Sequence, residues 1–301
     1  MQPHTNRITD SNLINLNGQI VESDKAFVSI NNRGLHYGDA LFETLLVVKG
    51  TVLFWEDHYF RLMASMRILR MEIPMNFTME YLKSELDKTI SDNLSKSFRV
   101  KILVWRKTGG KYHPDTRMID YAIIPEEVNF NEYKLDTSPY EVELYKDFYV
   151  RKDLLATLKT TNKIVNVLGS IFAKENGYQN CLVLNDAKNV IEALNANLFM
   201  VNQDTITTPP LSEGCLNGIM RKQLIKIIDS HPEYKLEERP VSPFELQKAD
   251  ELFLSNVVFG IRPITKYRKK EYGISVSQEI LTLLNKRTFD LISSNSDSQA
   301  H

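Results

Sequence analysis

The sequence predicts an α+β protein of two domains, and three observations carry that reading. The chain has 301 residues, about twice the size of a common domain of roughly 150. Its first half sets short apolar runs around an amphipathic helix, and its second half alternates helices with strand-like runs separated by Asn and Asp. Hydrophobic residues make up 43% and charged residues 25%, which excludes a mainly disordered, collagen-like or fibrous chain.

Residues 1–12 are polar and unpatterned and read as a tail. From Leu13 the run INLNGQIV is followed by LFETLLVV and TVLFW, two strand-like segments around a Lys49-Gly50 turn. Asp57 is the expected N-cap of a helix whose buried face holds Tyr59, Leu62, Met63, Met66 and Leu69, with Pro74 marking its end. The strands FRVKILVW and MIDYAII complete a first domain over residues 13–128. Residues 125–150 mix acidic and aromatic side chains, the pattern of a crossing segment and then an edge strand at a domain junction. A second domain, residues 129–290, opens with a helix over Ile164 to Glu175 and continues with short strands between Asn/Asp turns. A helix from Gly218 to Asp229, the strand ELFLSN and the segment VVFGIRPIT follow. Residues 291–301 read as a second polar tail.

With 37 Lys+Arg against 38 Asp+Glu the formal net charge is -1, so no global basic field draws nucleic acid, and any anion must be held locally. The longest apolar runs fall far short of a bilayer span, and the polar start lacks the apolar stretch of a signal peptide, so a cytoplasmic protein without a membrane segment is expected. Cys181 and Cys215 form neither a disulfide framework nor a C-x-x-C pair and are expected as thiols. The Rossmann, Walker, zincin and G-x-S-x-G signatures are absent, and the six histidines lack metal-ligand spacing, so no metal site is expected.

Five segments carry polar groups where a packing pattern alone would prefer apolar ones: RGLHYGDALFET (33–44), DHYFRL (57–62), LKTTN (158–162), VIEALNANLF (190–199) and LNGIMRKQLI (216–225). In this order they resemble the fold-type-IV pyridoxal-phosphate enzymes. That family includes branched-chain aminotransferases, D-amino-acid aminotransferases and 4-amino-4-deoxychorismate lyases. The resemblance spans most of residues 13–270 and implies a small N-terminal α/β sandwich domain and a larger C-terminal pseudo-barrel domain.

The resemblance implies roles residue by residue. Lys159, ahead of Asn162 in LKTTN at the mouth of a helix, matches the lysine that joins covalently to the aldehyde of pyridoxal 5'-phosphate. Such an amine needs neighbours or burial that lower its pKa. Glu192 sits between Ile191 and Ala193, where an ionised carboxylate is costly unless paired, and it matches the glutamate that pairs with the cofactor's pyridine nitrogen. Arg61 matches the phosphate-binding arginine, and the backbone amides of Ile219 and Met220 would add a helix N-terminus to the phosphate site. A Thr commonly stands at Met220 in the aminotransferases. Val257, after Asn256, replaces a residue that usually gives the phosphate another hydroxyl.

Within the family, Thr44 after Phe42 and Glu43 matches the lyases, whose Thr is thought to help move protons. Asn256 is also lyase-like, and WRKTGGKY (105–112) looks like their R-G-S-G-G-x-x-Y loop. Ile164 replaces a Tyr of the branched-chain aminotransferases. Arg106, entering the Gly109-Gly110 loop, is the expected clamp for a substrate carboxylate. D-amino-acid aminotransferases follow that Arg with a His and carry Tyr at the place of Phe42, whereas this chain has Thr108 and Phe42. His36 and Tyr37 would line the substrate side. The expectation is a lyase acting on 4-amino-4-deoxychorismate, with transamination of branched-chain L-amino acids or of D-amino acids as the alternative. The resemblance also implies a homodimer.

Overall fold

A computed structural model describes residues 13–90 and 95–299, so the tail expected over residues 1–12 lies outside the described residues. The chain divides into two compact units: Met1–Asn131 with Thr160–Asn162 and Asp290–His301, and Glu132–Lys159 with Lys163–Phe289.

The first unit is built on six strands, β1 (Leu13–Leu16), β2 (Gln19–Glu22), β3 (Ala40–Val48), β4 (Thr51–Val52), β5 (Ser97–Arg106) and β6 (Ile119–Val128), with helices α1 (Arg33–Tyr37), α2 (Trp55–Ile68) and α3 (Met79–Ile90). Every pairing is antiparallel, in the order β2-β1-β6-β5-β3-β4. Two hairpins close through Asn17-Gly18 and Lys49-Gly50, all four residues at positive φ between 47° and 88°. Both central residues of a type I′ turn need that conformation, which favours Asn and Gly.

Strand β3 is buried along nearly its whole length. Its period of two puts Glu43, Leu45 and Val47 on one face and Phe42, Thr44 and Leu46 on the other. Glu43 meets α2, which turns His58, Leu62, Met63, Ser65 and Met66 inward. The helix does not start after Asp57 as its sequence suggests. It begins at Trp55, and Phe54 occupies the N-cap at φ 56° with no side-chain cap. Tight exit from the β3–β4 hairpin outweighs capping chemistry here, and Asp57 serves in the first turn, where its charge suits the helix dipole.

The second unit carries β7 (Glu141–Val150), β8 (Asn180–Asn185), β9 (Val190–Ala193), β10 (Ala196–Asn202), β11 (Thr205–Thr208), β12 (Lys235–Glu238), β13 (Glu251–Asn256), β14 (Gly260–Ile264), β15 (Lys266–Tyr267) and β16 (Lys270–Glu271). Its helices are α4 (Ile164–Glu175), α5 (Ile219–Asp229), α6 (Pro243–Leu246) and, up to Phe289, α7 (Ser275–Gln299), whose residues from Asp290 group with the first unit. The sheet runs β12-β11-β10-β9-β8-β7-β15-β16, and β10 and β14 both pair with β13. All six residues of β8 are buried. Cys181 and Val183 pack in the cluster that α4 covers, while Leu182 and Leu184 enter a second cluster with Val142, Leu144 and Leu198.

Two further expectations need correction. Strand β7 is not an edge strand: it lies between β8 and β15, parallel to both, and buries Val142, Leu144 and Tyr145. Its exposed Lys146, Asp147, Phe148 and Tyr149 gave the stretch its edge-like composition. The second tail is helical, because α7 continues through Gln299. Its Ser- and Asn-rich sequence lacks the apolar spacing that announces a helix.

Candidate active site

In the second unit the candidate site is assembled on β9 and β10. Glu192 on β9 accepts a hydrogen bond from the backbone N–H of Leu216 at 2.9 Å. Burial pushes its carboxyl up to about 7, against the Leu216 N–H and the charges of Lys163 and Lys159, which pull the other way. The segment ending at Lys159 is tied to the same loop, since Asn217 N–H donates to the Thr157 carbonyl at 3.2 Å. Lys159, Glu192 and the 214–218 loop are therefore brought together within one unit. Lys163, one helical turn's start beyond Asn162, was not singled out by its sequence, and its charge also acts on Glu192.

The same loop opens α5. Gly218 is the N-cap of this helix, with no side-chain cap, so the first N–H groups of α5, including those of Ile219 and Met220, are not covered by a capping side chain. A Cβ at Gly218 would lie 2.0 Å from Asn197 Oδ1, so any other residue would have to displace the Asn197 amide. The Ile219 and Met220 side chains point into the core, leaving backbone groups as their means of contact. Asn256, at the end of β13, donates to the Asn195 carbonyl at 3.1 Å and accepts from Val258 and Phe259 N–H at 2.9 and 3.0 Å. Its side chain organises the turn after β13, and the Val257 carbonyl accepts from the Tyr133 hydroxyl at 2.8 Å.

The first unit holds the remaining candidates. Arg61 on α2 donates from Nε and Nη2 to Glu43, and His58 contacts the same carboxylate through Nδ1 at 2.7 Å. Burial alone would raise the Glu43 carboxyl, but the Arg61 charge and the hydrogen bonds from His58 and Arg61 hold it down at about 2. Neither Glu43 nor His58 was assigned a role from sequence, although both lie inside the motifs quoted for their neighbours. Thr44 is buried on β3 opposite Lys101, whose Nζ sits 4.9 Å from the Phe42 ring centroid. Tyr37 is half-exposed under the Arg33 guanidinium, 4.9 Å away, and His36 bonds the Ile30 carbonyl through Nε2 at 2.8 Å.

Arg106 is not the open clamp expected from its sequence. It is buried, donating to Asp39 from Nε and Nη2 at 2.9 and 3.2 Å and to the Leu69 and Arg70 carbonyls at 2.7 and 3.2 Å. Asp39 also accepts from Arg33 Nε at 2.9 Å, and Arg33 Nη1 reaches the Gly109 and Lys111 carbonyls at 2.9 and 2.6 Å. Strand polarity made Arg106 conspicuous, but a half-buried Asp that matches its fork could be recognised only in three dimensions.

Among the described residues no group of three His, Cys, Asp or Glu is arranged for a metal ion, and no helix is long and apolar enough to cross a membrane. What the second unit offers instead is a lysine amine, a carboxylate suited to a ring-nitrogen proton and an open helix start suited to a phosphate. These three groups could hold a phosphorylated carbonyl cofactor.

Residues 40–267 match the amino-transferase class IV family, and the chain belongs to it. The family is pyridoxal-phosphate-dependent. A D-alanine aminotransferase of Listeria monocytogenes is 27% identical over 259 residues, covering 83% of this chain and 86% of its own. An aminodeoxychorismate lyase of Vibrio harveyi is 26% identical over 240 residues, covering 79% and 86%. Aminotransferase names predominate among such relatives. The crystal structure of a branched-chain aminotransferase from Thermoproteus uzoniensis with norvaline has the same fold, with a TM-score of 0.81 at 23% identity over 90% of this chain and 92% of that one. The residues present fit the family's cofactor: Gly218 keeps the start of α5 clear of side-chain bulk, and Glu192 is a carboxyl that burial raises to about 7 against the pull of the Leu216 N–H, Lys163 and Lys159.

Proposed function

We propose that the protein is a 4-amino-4-deoxychorismate lyase that releases 4-aminobenzoate and pyruvate. Thr44 carries the reading: a buried hydroxyl follows Glu43 on β3, at the position where the lyases have Thr. The Gly109-Gly110 loop, stapled by Arg33 through backbone carbonyls, supports it as a second lyase-like feature.

When bound, pyridoxal phosphate supplies an aldehyde that joins the substrate amine and a ring that takes up the electron pair released when a neighbouring bond breaks. Lys159, as the neutral amine, would take the proton from the ring carbon that bears the amino group, and the departing enolpyruvyl group would recover a proton as it becomes pyruvate; the resemblance gives Thr44 the relay of that proton. Glu192 would keep a proton on the cofactor's ring nitrogen. The N–H groups of Ile219 and Met220 would hold the phosphate, and Asn256 and Val257 would contribute backbone from the turn after β13; the resemblance gives Arg61 a phosphate contact as well, from a guanidinium that Glu43 already engages through Nε and Nη2. His36, Tyr37 and Phe42 contact substrate. Departure of pyruvate leaves an aromatic ring, which drives the reaction forward.

Transamination, with branched-chain L-amino acids or D-amino acids as donors and an oxo acid as acceptor, is the second reading, and the names of the relatives favour it. We also propose a homodimer: Phe27, Ile30 and Leu35 expose apolar surface on the first unit that a second copy would cover. The deciding experiment mixes cofactor-loaded protein with aminodeoxychorismate in the absence of any oxo acid and follows 4-aminobenzoate fluorescence. Product beyond one equivalent supports the lyase. No product from protein with the cofactor's visible absorbance rejects it in favour of transamination.

A further inference from the structure

We propose that Asn197 is a positioning residue for the cofactor loop, an inference that rests on reading Glu192 as the carboxylate for the ring nitrogen. Asn197 lies directly opposite Glu192 in the antiparallel register of β9 and β10, so the two side chains share one face of the sheet. Between them they hold a single residue: Leu216 donates its N–H to Glu192 Oε2 at 2.9 Å and accepts from Asn197 Nδ2 on its carbonyl at 2.8 Å. Gly218 N–H reaches the same carbonyl at 2.8 Å. Asn197 is 4% exposed, and its Oδ1 occupies the space that a Cβ at Gly218 would need.

The amide of Asn197 thus fixes both ends of the loop's function. It keeps the Leu216 N–H on Glu192, one of the groups that hold this carboxylate down against burial, and it sets the path by which Gly218 opens α5. Asn197 does not titrate, so any effect on the proton affinity of Glu192 is transmitted through Leu216.

The test compares wild type, Asn197→Ala and Asn197→Asp. Alanine removes the donor to the Leu216 carbonyl; aspartate keeps the shape and sets an acceptor against that carbonyl. In cofactor-free protein, hydrogen exchange at the Leu216 amide should rise about tenfold in both variants, the scale of one lost buried hydrogen bond. In loaded protein, pyridoxal phosphate should bind about tenfold more weakly, and the pH at which its absorbance changes should move. Gly218→Ala should be better tolerated in the Asn197→Ala background than in wild type, because the clash is gone. A purely structural Asn197 would leave the absorbance titration unmoved. Wild type that never acquires the visible band removes the Glu192 reading, while the Leu216 exchange still tests the clamp. Wild type with the band, and variants equal to it in exchange, affinity and titration, overturn the inference alone. If alanine fails to fold, the aspartate variant supplies the Leu216 exchange and the cofactor affinity, and Asn197→Ser, which brings no charge beside Glu192, supplies the absorbance titration.

Discussion

The Arg61 guanidinium grips the Glu43 carboxylate from Nε and Nη2, joining α2 to the middle of β3. His58, one turn before Arg61, completes the arrangement from the same helix. An ion pair in such a setting stabilises mainly because breaking it strands the other charge. The Glu43 carboxyl titrates at about 2 in the folded protein, below its ordinary 4.5. Its stabilisation is therefore present in full above about pH 4.5 and is lost as pH falls toward 2. Glu43→Gln should lose about 3 kcal/mol of stability at neutral pH, with the difference from wild type shrinking below pH 4. Urea unfolding at pH 7 and pH 3 checks this, and equal midpoints at pH 7 would show that the pair contributes nothing.

Asp39 is the counterion of two buried arginines at once, accepting from Arg33 and Arg106. Asp39→Asn should destabilise the first unit by about 3 to 5 kcal/mol, since two guanidinium groups then lack their anion. The loop that Arg33 staples should loosen as well, with faster hydrogen exchange over residues 108–112. Exchange unchanged in a folded variant would mean that the carbonyl contacts of Arg33 hold the loop without Asp39.

The sequence made the units of structure legible wherever periodicity and turn chemistry agreed. Helix α4 over Ile164–Glu175 and strand β13 over Glu251–Asn256 fall where their patterns put them. The Lys49-Gly50 turn did so because left-handed backbone is a local demand. Asp57 misled because a cap is a weak preference that the tight exit after β4 overrode. The site was legible as a set of motifs, and the residues that hold it were not. Glu43, Asp39 and Asn197 are polar residues whose purpose is another side chain or backbone group far away in sequence, and no spacing rule links 43 to 61 or 197 to 216. Arg106 shows the converse: a conspicuous cation whose partner was invisible.

Glu192 yields a test of opposite sign in two forms of the protein. Its folded pKa of about 7 lies above the ordinary 4.5 because burial disfavours the charge. The cofactor-free protein therefore carries no penalty below about pH 4.5, an increasing one as pH rises to 7, and a constant one above. Glu192→Gln should raise the stability of cofactor-free protein at pH 8 by about 2 kcal/mol and leave it unchanged near pH 4. In the loaded protein the same variant should be slower by orders of magnitude, because a neutral amide does not keep a proton on the ring nitrogen. Thermal melts at both pH values, alongside turnover, decide it. A variant no more stable than wild type at pH 8 would mean that Glu192 is already compensated.

Two lysines act on Glu192, and the choice between them is the sharpest test of the site. Lys159 and Lys163 flank the three residues that group with the first unit, and the charges of both favour the ionised form of Glu192. The family pattern selects Lys159, and the Asn217–Thr157 hydrogen bond ties the segment leading into it to the loop that opens α5. Lys163 instead serves as the N-cap residue of α4, where its backbone begins that helix. Borohydride reduction of loaded wild type should fix the cofactor to the peptide containing Lys159. Lys159→Ala should lose both the adduct and the visible band, with turnover falling by several orders of magnitude. Lys163→Ala should keep the band, while the pH at which it changes moves because Glu192 has lost a nearby positive charge. Mass spectrometry of the reduced digest reads the outcome directly: an adduct on Lys163, or a band that survives Lys159→Ala, would transfer the covalent role to Lys163 and break the match with the family motif.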